Sequence, residues 1–511
     1  MLKLIDNLLN RITMYRFVLY YLIFLVLVAA ALSFFGLLPF QPADIIVSAL
    51  VITAVSWVAS KTFAKVFNVP ANVESAYITA LILALIVTPP SLSRYFSSSG
   101  LSFLIWASAW AMASKYILAI RKKHIFNPAA FAVALTALTI SHSASWWIGT
   151  FPMLPFVLLG GLLVARKILR FDLVLGFFVA AFAVIIGFGL ARGTDPLTTI
   201  WKITAETPIL FFAFIMLTEP LTTPPTRTLR VLYGAFVGAL FAPQLHIGPI
   251  YSTPELALLT GNVLSYLISP KEKYVMTLAG KIKIAPDIYD FLFLPDREMK
   301  FRPGQYLEWT RGHQKTDSRG NRRYFTIASS PAEEEVRLGV KFYPDASSFK
   351  RSMLSMEEGD EVVASQCAGD FVLPKDECKK LVFMAGGIGI TPFRSMIRDL
   401  LERNEARSII MMYSNRTAAE IVYKDVFDEA QERLGIKTIY TLTKTDQIPS
   451  DWTGARGRVD PRMIAREIPD YRERTFYLSG PRSLVVGFEE VLKNMSIPKR
   501  QIKTDFFPGF A

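Results

Sequence analysis

Apolar runs close to the ~20 residues that cross a bilayer recur from Phe17 to Ser269 and then stop. Ten such runs lie near residues 17–38, 41–60, 73–89, 101–120, 126–141, 151–165, 171–190, 207–219, 229–243 and 253–269, several of them short. After Ser269-Pro-Lys-Glu-Lys273 the period changes. From Tyr274 to about Pro374, short strand-like runs alternate with turns, as in Lys281-Ile-Lys-Ile284, Gly304-Gln-Tyr-Leu-Glu-Trp309 and Gly339-Val-Lys-Phe-Tyr343, which predicts a small closed antiparallel β-barrel. Farther on, Ser408-Ile-Ile-Met-Met-Tyr413, Lys437-Thr-Ile-Tyr-Thr-Leu442 and Thr475-Phe-Tyr-Leu-Ser479 read as strands between helical stretches, the pattern of a parallel α/β sheet. The expectation is a multi-domain membrane protein, with a domain of about ten transmembrane α-helices at 1–272, a β-barrel domain at 273–375 and an α/β domain at 376–511.

With 52% apolar side chains in 511 residues, the chain is too apolar for a purely soluble enzyme. Its formal charge of +13 does not call for nucleic acid, because in the apolar half the basic residues sit at the ends of apolar runs. Lys3, Arg11, Arg16, Lys61, Lys65, Arg121, Lys122, Lys123, Arg166, Lys167, Arg170, Arg227, Arg230, Lys271 and Lys273 fall on one side of the ten-span topology, against Arg94, Arg192 and Lys202 on the other. Cytoplasmic retention of positive charge predicts a multi-pass inner-membrane protein with both termini in the cytoplasm. Met1 to Arg16 precedes an apolar run without a small-residue cleavage site, so it reads as the start of an uncleaved first helix. Cys367 and Cys378 are too few for a four-cysteine iron–sulfur cluster or a disulfide framework, and both read as buried thiols. His124, His142 and His246 lack the paired placement on two helices that holds haem, so no haem is expected.

Chemistry concentrates in Leu381-Val-Phe-Met-Ala-Gly-Gly-Ile-Gly-Ile-Thr-Pro-Phe-Arg394. An apolar run ends in Gly386, Gly387 and Gly389, and Thr391-Pro392 opens a helical stretch; a strand, glycine turn and helix N-terminus in this order accept a pyrophosphate. Ordinary packing also asks for glycine at such turns, so context decides. Upstream lie Arg323-Tyr-Phe-Thr-Ile-Ala-Ser-Ser-Pro331, Ser347-Ser-Phe-Lys350, Gly359-Asp360 and Gly369-Asp-Phe371. In order and spacing, the chain from about Lys281 onward closely resembles the ferredoxin–NADP⁺ reductase-like flavoproteins, in which Arg-x-Tyr/Phe-Ser/Thr holds FAD and Gly-Gly-x-Gly-x-Thr-Pro holds the nicotinamide dinucleotide. The resemblance implies FAD in the barrel domain and NADH or NADPH in a Rossmann-like α/β domain. Arg323 would bind an FAD phosphate, Phe325 with Tyr324 beside it would lie along the isoalloxazine, and Thr326 would sit near flavin N5. Ser347, Ser348 and Lys350 would reach the pyrophosphate. Gly386, Gly387, Gly389, Thr391 and Pro392 would cradle the dinucleotide, with Arg416 of Ser414-Asn-Arg416 and Gly480-Pro481 at neighbouring strand ends. Thr326 and Thr391 would act by positioning rather than acid–base chemistry, since the cofactors carry the redox step. Arg416 does not separate NADH from NADPH. In Asp505-Phe-Phe-Pro-Gly-Phe-Ala511, Phe507 and Phe510 would either shield the flavin or pack in the core.

In the apolar half, Glu74-Ser-Ala-Tyr-Ile-Thr-Ala-Leu-Ile-Leu-Ala-Leu-Ile-Val-Thr-Pro-Pro90 and Glu206-Thr-Pro-Ile-Leu-Phe-Phe-Ala-Phe-Ile-Met-Leu-Thr-Glu-Pro220 form a weak repeat. Each opens on an acid and a hydroxyl and closes on Thr and Pro, and in the ten-span topology they run in opposite directions, an inverted-repeat signature. Lys115, Asn127, Glu219, Glu255 and Asn262 are polar at membrane depth or its edges, where such groups are costly and mark function; Glu74, Glu206 and Glu255 also read as plain helix openers. Phe126-Asn-Pro-Ala-Ala-Phe131 with Lys115 and His124, Gly160-Gly161, Met216-Leu-Thr-Glu-Pro-Leu-Thr-Thr-Pro-Pro225, Tyr233-Gly-Ala235 and Gly261-Asn262 together resemble the NqrB/RnfD family over about residues 15–268. These are flavin-carrying membrane subunits of the sodium-pumping NADH:quinone oxidoreductase and the Rnf complex. Members with covalent FMN use Asp-x-x-Ser/Thr-Gly-Ala-Thr. Here Trp201-Lys-Ile-Thr-Ala-Glu-Thr207 aligns Thr207 with the acceptor but lacks the Asp and the Gly-Ala pair. An FMN or riboflavin in this domain is therefore expected to be held noncovalently near Asn127, Thr218 and Thr222.

The two resemblances imply a membrane flavoprotein in which NAD(P)H reduces FAD and electrons pass to a membrane flavin, a quinone or an extracytoplasmic acceptor, among membrane lipid. A redox-gated transporter or ion channel is the alternative, and a soluble-type diaphorase on a membrane anchor a plainer one.

Overall fold

The computed structural model describes residues 9, 12–67, 73–91, 98–120, 123–269, 273–313, 317 and 320–505. Phe507 and Phe510 lie outside these residues, as do Lys3, Arg11, Arg94, Arg121, Lys122 and Lys271 of the charge pattern. The chain divides into two compact units, Met1–Glu272 and Lys273–Ala511.

In the first unit, helix occurs in each of the ten apolar segments. Met14–Phe34, Pro42–Val66, Phe151–Ile168 and Phe171–Ala191 are long and apolar enough to cross a membrane. Val73–Ile86 and Pro128–Ile140, at 14 and 13 residues, rise only about 20 Å, short of a ~30 Å hydrocarbon core. Their lengths follow from local signals. Asn127 caps the start of Pro128–Ile140, its side chain accepting from Ala130 N, and Ser141 in the left-handed region (φ 54°) ends it. The segment expected as a span at 207–219 takes another form. Asp195 caps Pro196–Glu206, and Thr207-Pro208 turns the chain through 70° into Ile209–Met216, which winds as a π-helix over Phe212–Met216. Glu206 therefore closes a helix instead of opening one, whereas Glu74 and Glu255 do stand in first turns.

Glycine sets the closest helix pairing. A Cβ at Gly234 would stand 2.3 Å from Leu173 O and one at Gly238 2.3 Å from Phe177 O, so the helix Arg227–Leu240 lies backbone-close on Phe171–Ala191. Asp172 and Arg230 join the same pair, Nη2 to Oδ2 at 2.6 Å. Gly238→Leu is expected to destabilise the unit by about 3 kcal/mol through overpacking, while Gly187→Leu, on the same seam's far helix with nothing within 4 Å of a Cβ, stays near neutral. Thermal melting in detergent measures both; equal melting temperatures would show that the seam tolerates separation.

The second unit holds two sheets. The strands β1 (Lys273–Ala285), β2 (Ile288–Pro295), β3 (Tyr306–Thr310), β4 (Arg322–Thr326), β5 (Val336–Lys341) and β6 (Glu361–Ala368) form an antiparallel sheet in the order β4-β3-β6-β1-β2-β5. The expected closure is incomplete: among the described residues no ladder joins β4 to β5, and just past β4 the backbone bond Ala328 N to Arg337 O (2.9 Å) spans the gap. The strands β7 (Leu381–Gly386), β8 (Ile409–Asn415), β9 (Lys437–Leu442), β10 (Ala455–Arg456), β11 (Thr475–Ser479) and β12 (Ile502–Asp505) form a wholly parallel sheet in the order β10-β9-β8-β7-β11-β12. All six residues of β7 are buried, as a central parallel strand covered on both faces requires. Phe383 stacks on Phe393 of the helix Thr391–Arg403 at 4.6 Å, and Val382 and Met384 join the opposite cluster with Val485 and Leu492 of Arg482–Asn494. Cys367 is partly buried, but Cys378 is exposed, contrary to the buried-thiol expectation; it lies on the loop before β7, where its N–H donates to Asp376 Oδ1.

Candidate functional site

Strand order reverses between β7 and β11, and an open α/β sheet binds ligands in the crevice such a reversal leaves at the carboxyl strand ends. The glycine turn occupies that place. Gly386 ends β7, Gly387 to Ile390 form a tight turn, and Thr391 begins a 13-residue helix with Pro392 in its first turn. The glycines differ in purpose. A Cβ on Gly389 would come 2.4 Å from Gly480 Cα, and one on Gly386 2.5 Å from Leu484 Cδ1, so both satisfy packing. Gly387 has φ +51° and nothing within 4 Å of its Cβ position, which leaves an open approach to the turn. The structure thus brings Gly386, Gly387, Gly389, Thr391, Pro392, Gly480 and Pro481 together, with Arg416 exposed just past β8. Thr391 is buried, and its hydroxyl donates to Ile388 O at 3.2 Å.

On β4, Arg323 and Phe325 both meet Phe349 of the helix Ser348–Leu354, at 5.4 and 6.2 Å. Tyr324 takes the other face, its hydroxyl donating to Glu308 Oε2 at 2.6 Å and its ring edge-on to Tyr306. Ser347 caps the helix Ser348–Leu354, and Ser348 N donates to Asp317 Oδ2 at 2.8 Å. A carboxylate therefore holds the place where the resemblance puts a phosphate. Lys350 turns elsewhere: its Nζ donates to Lys341 O (2.9 Å) and lies over the Tyr343 ring.

Thr326 reveals a partner that the sequence reading missed. Its hydroxyl donates to Asp505 Oδ2 at 3.5 Å, from β4 to the last strand of the other sheet. Burial pushes the Asp505 carboxyl up to about 7, against the pull of the Thr326 hydrogen bond. Ile502-Lys-Thr-Asp505 is too short and too polar to read as a strand, so nothing local marks it.

In the first unit a cavity of about 70 Å³ is lined by Ser75, Thr79, Asn127, Thr218 and Glu219 on its polar side and by Tyr15 and mostly aliphatic side chains elsewhere. Lys115 Nζ donates to Ser75 Oγ (3.1 Å) and Thr79 Oγ1 (2.9 Å), Asn127 Nδ2 to Glu219 Oε2 (2.9 Å), and Asn262 Oδ1 accepts from Asn127 N (2.8 Å). His124 Nε2 stands 3.7 Å from Glu219 Oε1, and Thr222 donates to Glu219 Oε2 at 3.3 Å. Thr207 lies apart from this cavity, at the 70° corner, with its hydroxyl donating to Ile203 O.

Residues 383–490 match the model of the oxidoreductase NAD-binding domain. A glycine betaine monooxygenase reductase subunit of Chromohalobacter salexigens is 26% identical over 212 residues, 41% of this chain and 57% of that protein. A flavohemoprotein of Oceanobacillus iheyensis is 25% identical over 238 residues, 44% of this chain and 57% of that protein. The chain thus spans 57% of the length of these curated relatives. Among solved structures, a cytochrome P450 reductase of Amycolatopsis is similar at 23% identity and a TM-score of 0.42, covering 47% of this chain and 70% of that one. The second unit is an oxidoreductase module with an NAD-binding domain, similar to ferredoxin-reductase-like proteins.

The reductase module fits both groups by its own residues. The open turn at Gly387 and the N-terminus of Thr391–Arg403 suit a pyrophosphate, and the anion acceptance that Asp317 displays at Ser348 suits another. When bound, FAD takes up a hydride and releases electrons singly. Because the Asp505 carboxyl sits above its ordinary range, the neutral form is favoured in the fold, and the stability this contributes is lost as pH rises through about 7. Asp505→Asn is expected to remove a pH step near 7 from the rate of flavin reduction and to stabilise the module more at pH 8 than at pH 5. Stopped-flow and melting series across pH measure this; a step that persists in the variant assigns it to another group.

Proposed function

We propose that this chain is a membrane-bound oxidoreductase that takes electrons from cytosolic NADH or NADPH through FAD into or across the membrane, to a second flavin, a quinone or an extracytoplasmic acceptor. One observation supports this above an anchored diaphorase. The apolar unit joined to the reductase module holds a cavity with one polar wall, and a unit serving only as an anchor has no use for Asn127, Glu219 and Asn262 bonded in series, or for Lys115 bonded to Ser75 and Thr79, between apolar helices. The ten-span topology with cytoplasmic termini, and the division at 1–272, 273–375 and 376–511, belong to this proposal. Short helices that stop partway are the form in which NqrB/RnfD-like inverted repeats would build a central site.

In the module, the side chains act by holding and excluding. Arg323 and the Ser347-Ser348 helix N-terminus would retain the FAD phosphates, Phe325 and Tyr324 would border the ring system, and Thr326 with Asp505 would hold a proton beside flavin N5. Thr391 would close the nicotinamide side. In the membrane unit, Asn127, Thr218 and, through Glu219, Thr222 would hold a second flavin noncovalently. Covalent attachment at Thr207 is disfavoured because the residue sits at the negative end of Pro196–Glu206 next to exposed Glu206, where a phosphate is repelled.

Purified full-length protein is expected to contain two acid-extractable flavins per chain, and NADH or NADPH to bleach the FAD band in an anaerobic stopped-flow experiment. Absence of flavin refutes the proposal, and a single flavin reduces it to an anchored reductase. In a denaturing gel no fluorescent band is expected; a band abolished by Thr207→Val would establish the covalent link instead. The 70° break between Pro196–Glu206 and Ile209–Met216 favours one further reading, a redox-gated transporter. NAD(P)H-dependent flux of Na⁺ or H⁺ in liposomes without any added electron acceptor would support it.

A further inference from the structure

The loop that leaves the flavin strand and the helix that carries the dinucleotide turn are tied by one guanidinium. Arg394, three residues past Thr391 and only 5% exposed, donates through Nη1 to Ala328 O at 2.7 Å, two residues past Thr326. The same group forks onto Glu333, Nη1 to Oε2 and Nη2 to Oε1, each at 2.9 Å. Glu333 Oε2 also accepts from Ser330 N at 2.7 Å, and the adjacent Ser395 hydroxyl donates to Ser329 O at 2.6 Å. Burial alone would raise the Glu333 carboxyl, but Arg394 holds it below its usual range, consistent with a persistent ion pair.

The seam beside this clamp admits no slack. Gly339 of β5 faces Thr391, and a Cβ there would stand 2.9 Å from Thr391 Cγ2 and 2.5 Å from Tyr423 Oη. Tyr423 lies under the Arg394 guanidinium at 5.3 Å and donates to buried Asp290, which also accepts from Arg337 Nη1 at 2.7 Å. The Gly339 contacts with Thr391 and Tyr423, the Tyr423–Asp290 bond and the Arg394–Ala328 bond each join the antiparallel sheet or its loops to the α/β part.

We propose that Arg394 is a positioning residue that holds the Gly386–Thr391 turn at a set distance from Thr326, so that a nicotinamide on the turn reaches a flavin on β4. The inference rests on the proposed function and goes beyond cofactor binding to the geometry between two cofactors. A buried ion pair gains little net stability over an apolar pair, because desolvation offsets its attraction. A planar fork onto a carboxylate and a carbonyl instead fixes direction, which a lysine's single point charge cannot reproduce. Hydride transfer responds to this, since a displacement of about 1 Å is worth roughly a hundredfold in rate.

The test compares full-length Arg394→Met, Arg394→Lys and Gly339→Ala with Arg474→Met. Arg474 is a similarly buried guanidinium just before β11, but it donates to Leu381 O and Ser408 O at the opposite, N-terminal strand ends. The three seam variants are expected to keep FAD content and NAD(P)H affinity within about twofold while the limiting rate of flavin reduction falls by about thirtyfold. Arg474→Met is expected to lower the melting temperature without slowing reduction. Independently of turnover, hydrogen exchange at the Ser330 and Ser395 segments should accelerate in Arg394→Met and not in Arg474→Met. Should Arg394→Met not fold, Gly339→Ala, which opens the seam without removing a charge, decides the matter. Flavin reduction at the parent rate in a folded seam variant overturns the proposal, as does equal slowing in Arg474→Met. A parent chain that neither NADH nor NADPH reduces overturns the functional reading instead, and hydrogen exchange still decides the clamp.

Discussion

Backbone has to meet backbone at the carboxyl ends of β7 and β11, and side chains would keep them apart. Gly389 packs where a Cβ would lie 2.4 Å from Gly480 Cα, and Gly480 itself adopts φ +153° beside Gly386. This close approach lets the turn after β7 and the turn after β11 share one wall at the point where strand order reverses. The crevice, the helix N-terminus at Thr391 and the open side of Gly387 all follow from it. Two of the three glycines are thus spent on packing, and the third leaves room for a ligand.

The first unit obeys a different constraint. Without water among apolar helices, a polar group has to find a protein partner, and the described residues show such partners in series. Tyr233 accepts from Asn262, Asn262 accepts from the Asn127 backbone, Asn127 donates to Glu219, and Thr222 joins at the same carboxylate oxygen. Asn127 illustrates how one residue serves two purposes. It caps Pro128–Ile140 and also presents its amide to Glu219, so a structural and a functional reading of the same side chain are compatible.

The reductase module adds a third arrangement, in which residues distant in sequence are joined by contacts between its two sheets. Thr326 bonds to Asp505 across a sequence separation of 179 residues, and Arg394 to Ala328 across 66. Gly339 of the antiparallel sheet packs directly against the Thr391 and Tyr423 side chains of the α/β part. On the proposed reading, the distance between the two cofactors would be set by this seam and by neither sheet alone.

Local regularity made much of this legible from the residues. Strand-like alternation located β3 and overlapped β5, continuous apolar runs located β7 and β8, and Thr-Pro marked the close of short apolar segments, because each of these signals acts within a few residues. The glycine turn was readable for the same reason, whereas Arg323–Thr326 was singled out by its resemblance to a family motif and its strand came from the structure. Other features depended on what lay across space. Glu206 looked like a helix opener, yet Asp195-Pro196 starts its helix eleven residues earlier and Thr207-Pro208 ends it. The barrel's ladder stays open because the chain after β4 turns toward Arg394 and leaves one backbone bond to Arg337. Asp505 is a polar residue on a four-residue edge strand, and only the meeting of two sheets makes it the partner of Thr326. Hydrogen bonds and close contacts between distant segments carry no periodic trace in either segment, so the tertiary structure alone decided them.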